Sequence, residues 1–308
     1  MTMRGWRLLL AGALLISLSA CQAAQAAVPG ALGRPSGVAP VTPYPVGIRT
    51  LDLARGEDRP LPTTVWYPAD ARDATAPPRD NARPAAGRFP IVLFSHGLAS
   101  TPRLFAALLT RWASAGFVVA APAYPYTNAD AADFQRWDVR NQPGDAEFVI
   151  QDLIRRDTLA GDPFRGRLDV AHIAAAGHSA GGFTTAGLFT TGHDPRLRAG
   201  IVIAGGGLPG TFAGPDASLL FVHGGADPIV APYVAQAAYE RVPWPKAFVT
   251  LAGQGHGEYL TPGRPGFSEA NNTMTDFLRW TLYGDTSART RLPVDATLAG
   301  VSSMSGKI

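Results

Sequence analysis

Cysteine is all but missing: Cys21 stands alone among 308 residues. A disulfide framework within the chain is excluded, and so is any site built from clustered thiolates. Charged residues are sparse, at 17% of the chain. The formal net charge is only +3, and no basic stripe, zinc-binding spacing or RNA-binding signature accompanies it, so a nucleic-acid partner is not indicated. No apolar run reaches the ~20 residues that span a bilayer. Glycine and proline are plentiful, at 34 and 27 residues, but they follow no three-residue period, which excludes a collagen-like chain. A hydrophobic content of 46% excludes intrinsic disorder and suits one large globular domain.

The N-terminus reads as an export signal. Arg4 and Arg7 precede an apolar core of 11 residues from Leu8 to Leu18, too short for a membrane span and of the right length for a signal peptide. The quartet Leu18-Ser19-Ala20-Cys21 resembles a bacterial lipobox, whose cysteine becomes the lipidated first residue of the mature protein. The alternative is ordinary cleavage at Ala24-Gln25-Ala26, leaving a secreted soluble protein. Either route takes the chain out of the cytoplasm. Removing Arg4 and Arg7 lowers the net charge from +3 to +1.

The expected organisation is a signal peptide over 1–20, a flexible linker over 21–45, a catalytic domain over 46–284 and a C-terminal tail over 285–308 that wraps the surface or frays. Within the domain, two strands joined without a helix (46–53 and 63–67) predict an antiparallel leading edge. Six short apolar strands then alternate with helical stretches at 101–115, 145–158, 180–191, 232–241 and 269–283. That alternation predicts an α/β fold with a mostly parallel sheet of about eight strands, helices on both faces and no cap domain.

The chemistry concentrates in Ile173-Ala174-Ala175-Ala176-Gly177-His178-Ser179-Ala180-Gly181-Gly182, an apolar strand running through G-x-S-x-G into a helix. A strand-to-helix turn this sharp leaves no room for side chains at the flanking positions, and it lifts the serine hydroxyl above the sheet edge. A serine needs a base, and the base an orienting carboxylate. Of six histidines, His256 in Gly253-Gln254-Gly255-His256-Gly257-Glu258 is the candidate base, because a glycine-rich loop after a late strand can reach the catalytic edge. His172 precedes its strand, and His178 adjoins the serine too closely to fold back onto it. His193 and His223 read as local packing, and His96 as a brace for its own loop. Asp227 follows the strand Leu219–His223 and is the candidate acid, with Asp216 and Asp194 weaker and Glu258 too near His256 to orient it. The apolar strand ending in Ser95-His96-Gly97-Leu98 supplies one oxyanion donor, the Leu98 N–H, and Ala180 supplies the other.

These stretches, with Trp66-Tyr67-Pro68, resemble the α/β-hydrolase superfamily. The nearest branch holds the platelet-activating-factor acetylhydrolase-like, chlorophyllase-like, dienelactone-hydrolase-like and cutinase-like serine esterases. The resemblance implies an esterase working through an acyl-enzyme, without metal or organic cofactor. Dienelactone hydrolases carry cysteine where Ser179 stands. Polyester-degrading cutinases usually carry a tryptophan after the strand 200–204, an aromatic at the position of Leu98 and a C-terminal disulfide, none of which occurs here. The 14 residues from Gly205 to Ser218 are too few for a helical cap, so the cleft is expected to be open, with Tyr124, Tyr126, Trp137, Phe183, Phe212 and Tyr259 as candidate lining. Expected partners are a small or polymeric ester and a membrane reached through lipid on Cys21, and the chain is expected to be a monomer.

Overall fold

Alternation along each central strand sorts the apolar side chains into two layers. In the strand Phe89–Ser95, Val92 and Phe94 point to one face while Ile91 and Leu93 point to the other. Leu220 and Val222 oppose Leu219 and Phe221 in the same way. A strand buried on both sides needs cover on both sides, and helices supply it. The computed structural model describes residues 37–70 and 74–308. The expected signal peptide, Cys21 and the first part of the expected linker lie outside the described residues.

The elements run β1 (Val46–Ala54), β2 (Pro60–Pro68), β3 (Arg79–Asp80), β4 (Phe89–Ser95), α1 (Ala106–Ser114), β5 (Val118–Pro122), α2 (Gln142–Arg156), β6 (Leu168–His178) and α3 (Ala180–Gly187). They continue with β7 (Leu197–Ile203), β8 (Ser218–Gly224), α4 (Pro232–Arg241), β9 (Lys246–Leu251), α5 (Phe267–Tyr283), α6 (Thr286–Asp295) and β10 (Ser302–Lys307). The strands form one sheet in the order β10-β9-β8-β7-β6-β4-β5-β2-β1-β3. From β5 to β9 every neighbouring pair is parallel. β2 runs antiparallel to both β1 and β5, the leading edge expected from two strands joined by a turn. Helices α1, α5 and α6 share a core with one face, and α2 and α4 with the other. This is the α/β-hydrolase fold.

The sheet has ten strands among the described residues, not about eight. One addition is the two-residue β3, which pairs with β1 from within a loop rich in proline and arginine. The other is β10, antiparallel to β9 over Ser302–Lys307. The segment expected as a tail thus carries a helix, capped by Asp285 through the N–H groups of Ser287 and Ala288, and an edge strand. The last residues of the expected linker also pack against the domain: Ala39 is buried, the Tyr44 N–H donates to Ser114 O, and Pro40 O accepts from Arg279.

Candidate active site

The parallel strands deliver their loops to one edge. Ser179 follows β6, Asp227 follows β8, His256 follows β9, and Leu98 follows β4. Ser179 takes φ 58° and ψ −120°, a conformation that side-chain-bearing residues rarely adopt, between the last residue of β6 and the first of α3. The flanking glycines are required sterically. A Cβ at Gly177 would strike the carbonyl of Gly181, and one at Gly181 would strike the carbonyl of Ser95. The turn is pinned by the Ser179 N–H, which donates to Ile203 O at 2.9 Å.

The structure brings the three distant side chains together. The Ser179 hydroxyl donates to His256 Nε2 at 2.8 Å, and His256 Nδ1–H donates to Asp227 Oδ2 at 2.8 Å. The other carboxylate oxygen of Asp227 accepts the N–H groups of Ile229 and Val230 at 2.8 and 3.0 Å, which fixes its plane. Burial alone would raise the Asp227 pKa, but the His256 ring and those two N–H donors outweigh it and hold the carboxylate below its usual range. His223 Nε2 lies 3.2 Å from the same carboxylate while donating to Val230 O at 2.8 Å. The loops that carry Asp227 and His256 are tied directly, since the Ala226 N–H donates to Gln254 O at 2.8 Å.

His96 organises the loop after β4. Its Nδ1–H donates to Gly97 O at 2.7 Å and its Nε2 accepts the Tyr124 N–H at 3.1 Å. With both ring nitrogens engaged, burial pushes its pKa down to about 4 and the ring is neutral. A trans peptide is planar, with its C=O and N–H pointing opposite ways. Holding Gly97 O therefore also sets the direction of the Leu98 N–H. Leu98 lines the same cleft as Ser179. Ala180 is the first residue of α3, where a backbone N–H has no intrahelical acceptor and the helix end is electropositive.

The cleft has a volume of about 410 Å³ and opens to solvent. Its apolar walls are Leu98, Leu104, Phe105 and Leu260, and Glu258 is its one formally charged lining side chain apart from histidine. None of the six aromatics expected to line it does so. Tyr124 and Tyr259 are wholly buried and Phe212 nearly so, because their rings complete the core beneath the loops. The stretch between β7 and β8 carries no helix. Among the described residues no group of three or more His, Cys, Asp or Glu side chains is arranged to hold a metal ion.

Other candidates lie elsewhere. His172 lies within β6, where it is buried and bonded to Asp169 at 2.9 Å. His193 donates from Nδ1 to Thr190 O, Asp194 pairs with Arg196, and Asp216 is exposed. Two residues at the site were passed over by sequence reasoning. His178 donates from Nε2 to the His256 carbonyl. Glu258 accepts the N–H groups of Gly255 and Gly257, which bracket His256.

Residues 69–155 fit the model of platelet-activating factor acetylhydrolase, isoform II, a stretch that includes β4 and the His96–Leu98 loop and stops before Ser179. Comparison with curated proteins gave no match. With this match over part of the chain and a ten-stranded hydrolase sheet, the chain is similar to the platelet-activating-factor-acetylhydrolase-like α/β-hydrolases, which are serine ester hydrolases.

Proposed function

We propose that this serine ester hydrolase is an exported carboxylesterase acting through an acyl-enzyme, with Ser179 as nucleophile, His256 as general acid/base and Asp227 as orienting carboxylate. The observation that carries the reading is the continuous path Ser179 Oγ–His256–Asp227, with both hydrogen bonds at 2.8 Å. His256 takes the hydroxyl proton as Ser179 Oγ bonds to the ester carbonyl carbon. The carbonyl oxygen, now anionic, accepts from the N–H groups of Leu98 and Ala180. Collapse expels the alcohol, which leaves with the proton returned by His256. Water then repeats the sequence on the acyl-enzyme and releases the acid.

The preferred substrates are neutral esters with a short or exposed acyl group. An open cleft with apolar walls and no cation supports this, since nothing in it would bury a long chain or pair with an anion. Export, and anchoring through lipid on Cys21, are supported by the basic and apolar segments before that residue. No helix among the described residues is long and apolar enough to cross a membrane.

Replacing Ser179 with Ala is expected to lower kcat about a million-fold with the circular dichroism spectrum unchanged. Fluorophosphonate labelling of the parent, lost in that variant, is the companion measurement. Parent-like ester turnover by Ser179→Ala, or a parent that takes no label, would overturn the assignment.

A further inference from the structure

We propose that His178 is a positioning residue for this reaction, holding the backbone of His256 so that its ring faces Ser179. The inference rests on the Ser179–His256–Asp227 reading above and adds a residue to it.

His178 sits where the parts of the site converge. Its Nε2–H donates to the carbonyl oxygen of His256. Its ring packs on the His256 ring with centroids 4.8 Å apart and on Phe105 at 5.5 Å. It lies against Gly257, where a Cβ would come within 2.7 Å of Nε2. A Cβ at Gly97 would come within 3.4 Å of its Nδ1. One imidazole thus touches the oxyanion loop, the turn at Phe105 and the loop of the base, and it is covalently next to the nucleophile.

The base loop needs such a brace. Glycines at 253, 255 and 257 give it wide backbone freedom. The carboxylate of Glu258 holds the two N–H groups that bracket His256. Among the described residues the His256 carbonyl accepts only from His178. Without that bond the peptide following His256 is held only at its other end, by the Gly257 N–H on Glu258 at 3.2 Å, and any turn of the peptide carries the ring with it. A displacement of about 1 Å in a reacting group can cost about a hundred-fold in rate. Burial pushes the His178 pKa down to about 4, so the brace is neutral. It adds no second positive charge beside the imidazolium that His256 becomes.

The test compares steady-state hydrolysis of nitrophenyl butyrate, and the rate of fluorophosphonate labelling, across four variants of the full chain. His178→Phe keeps the ring and removes the donor. It is expected to lower kcat about ten- to a hundred-fold, with KM within about twofold of the parent and a matching drop in labelling rate. His178→Gln retains an N–H near the position of Nε2 and is expected to recover most of that loss. Gly257→Ala, which presses a methyl group against Nε2 of the imidazole, is expected to show the same loss confined to kcat. The role is overturned if His178→Phe keeps kcat within twofold of the parent, if its loss appears in KM, or if Gln does no better than Phe. Should His178→Phe fail to fold, a parent-like kcat in Gly257→Ala overturns it equally. Ser179→Ala separates the two levels of inference. Activity retained there removes the whole reading, whereas an inactive Ser179→Ala beside a parent-like His178→Phe removes only the brace.

Discussion

Two imidazoles stand beside Ser179 and its loop partners while remaining neutral. His96 and His178 are both pushed down to about 4 by burial, whereas in an unfolded chain a histidine titrates near 6.5. Between those values the unfolded state binds more protons than the folded one, so stability rises with pH across the window and is lost as pH falls through it. Each ring contributes a slope of up to about 1.4 kcal/mol per pH unit. Urea unfolding is therefore expected to show a lower midpoint at pH 5 than at pH 7, and an unchanged midpoint would count against the burial of these rings. At this scale the sequence was legible where chemistry is local. Ser179 lies in a five-residue pattern on a strand–helix junction, and Asp227 and His256 each follow an apolar strand. The roles of His178 and Glu258 were not legible. A carbonyl 78 residues away, or two N–H groups of a glycine-rich loop, leave no periodic or compositional trace.

The elbow shows what an element demands of its residues. Gly181 passes so near Ser95 that a methyl group there would overlap its carbonyl carbon and oxygen. Because Ser95 ends the strand that carries the oxyanion loop, relief of the overlap must move either that strand or α3. Gly181→Ala is expected to destabilise the fold by about 2 kcal/mol or more and to abolish ester turnover. Thermal unfolding and nitrophenyl ester hydrolysis check the two halves separately. The central parallel strands were readable because they are apolar on both faces, and α4 because proline opens it and Ala235 and Ala238 fall three apart on its buried face. α6 and β10 were not. α6 contains Pro293 and buries only Ala288 and Leu292. β10 is Ser-Ser-Met-Ser-Gly-Lys on an edge, where one side stays wet and no apolar alternation is needed.

Across the whole molecule, the antiparallel leading edge is fastened to the catalytic half by a buried ionic cluster. Arg59, at the turn into β2, forms paired hydrogen bonds with Asp138 at 3.0 and 2.8 Å and also binds Asp145, which Arg55 reaches at 2.7 Å. The Asp145 side chain is wholly buried. Arg59→Met would strand one carboxylate with only Arg55 and leave the other without a guanidinium. It is expected to destabilise the protein by about 3–5 kcal/mol, read from urea unfolding, and an effect below about 1 kcal/mol would refute the account. The groups that meet at the carboxyl edge come from loops at 96–98, 178–180, 227 and 255–258. During synthesis Ser179 is therefore made long before His256. On the proposed reading, a chain that ends before β9 lacks its base, and ester turnover is expected only once that last parallel strand and the loop after it are in place.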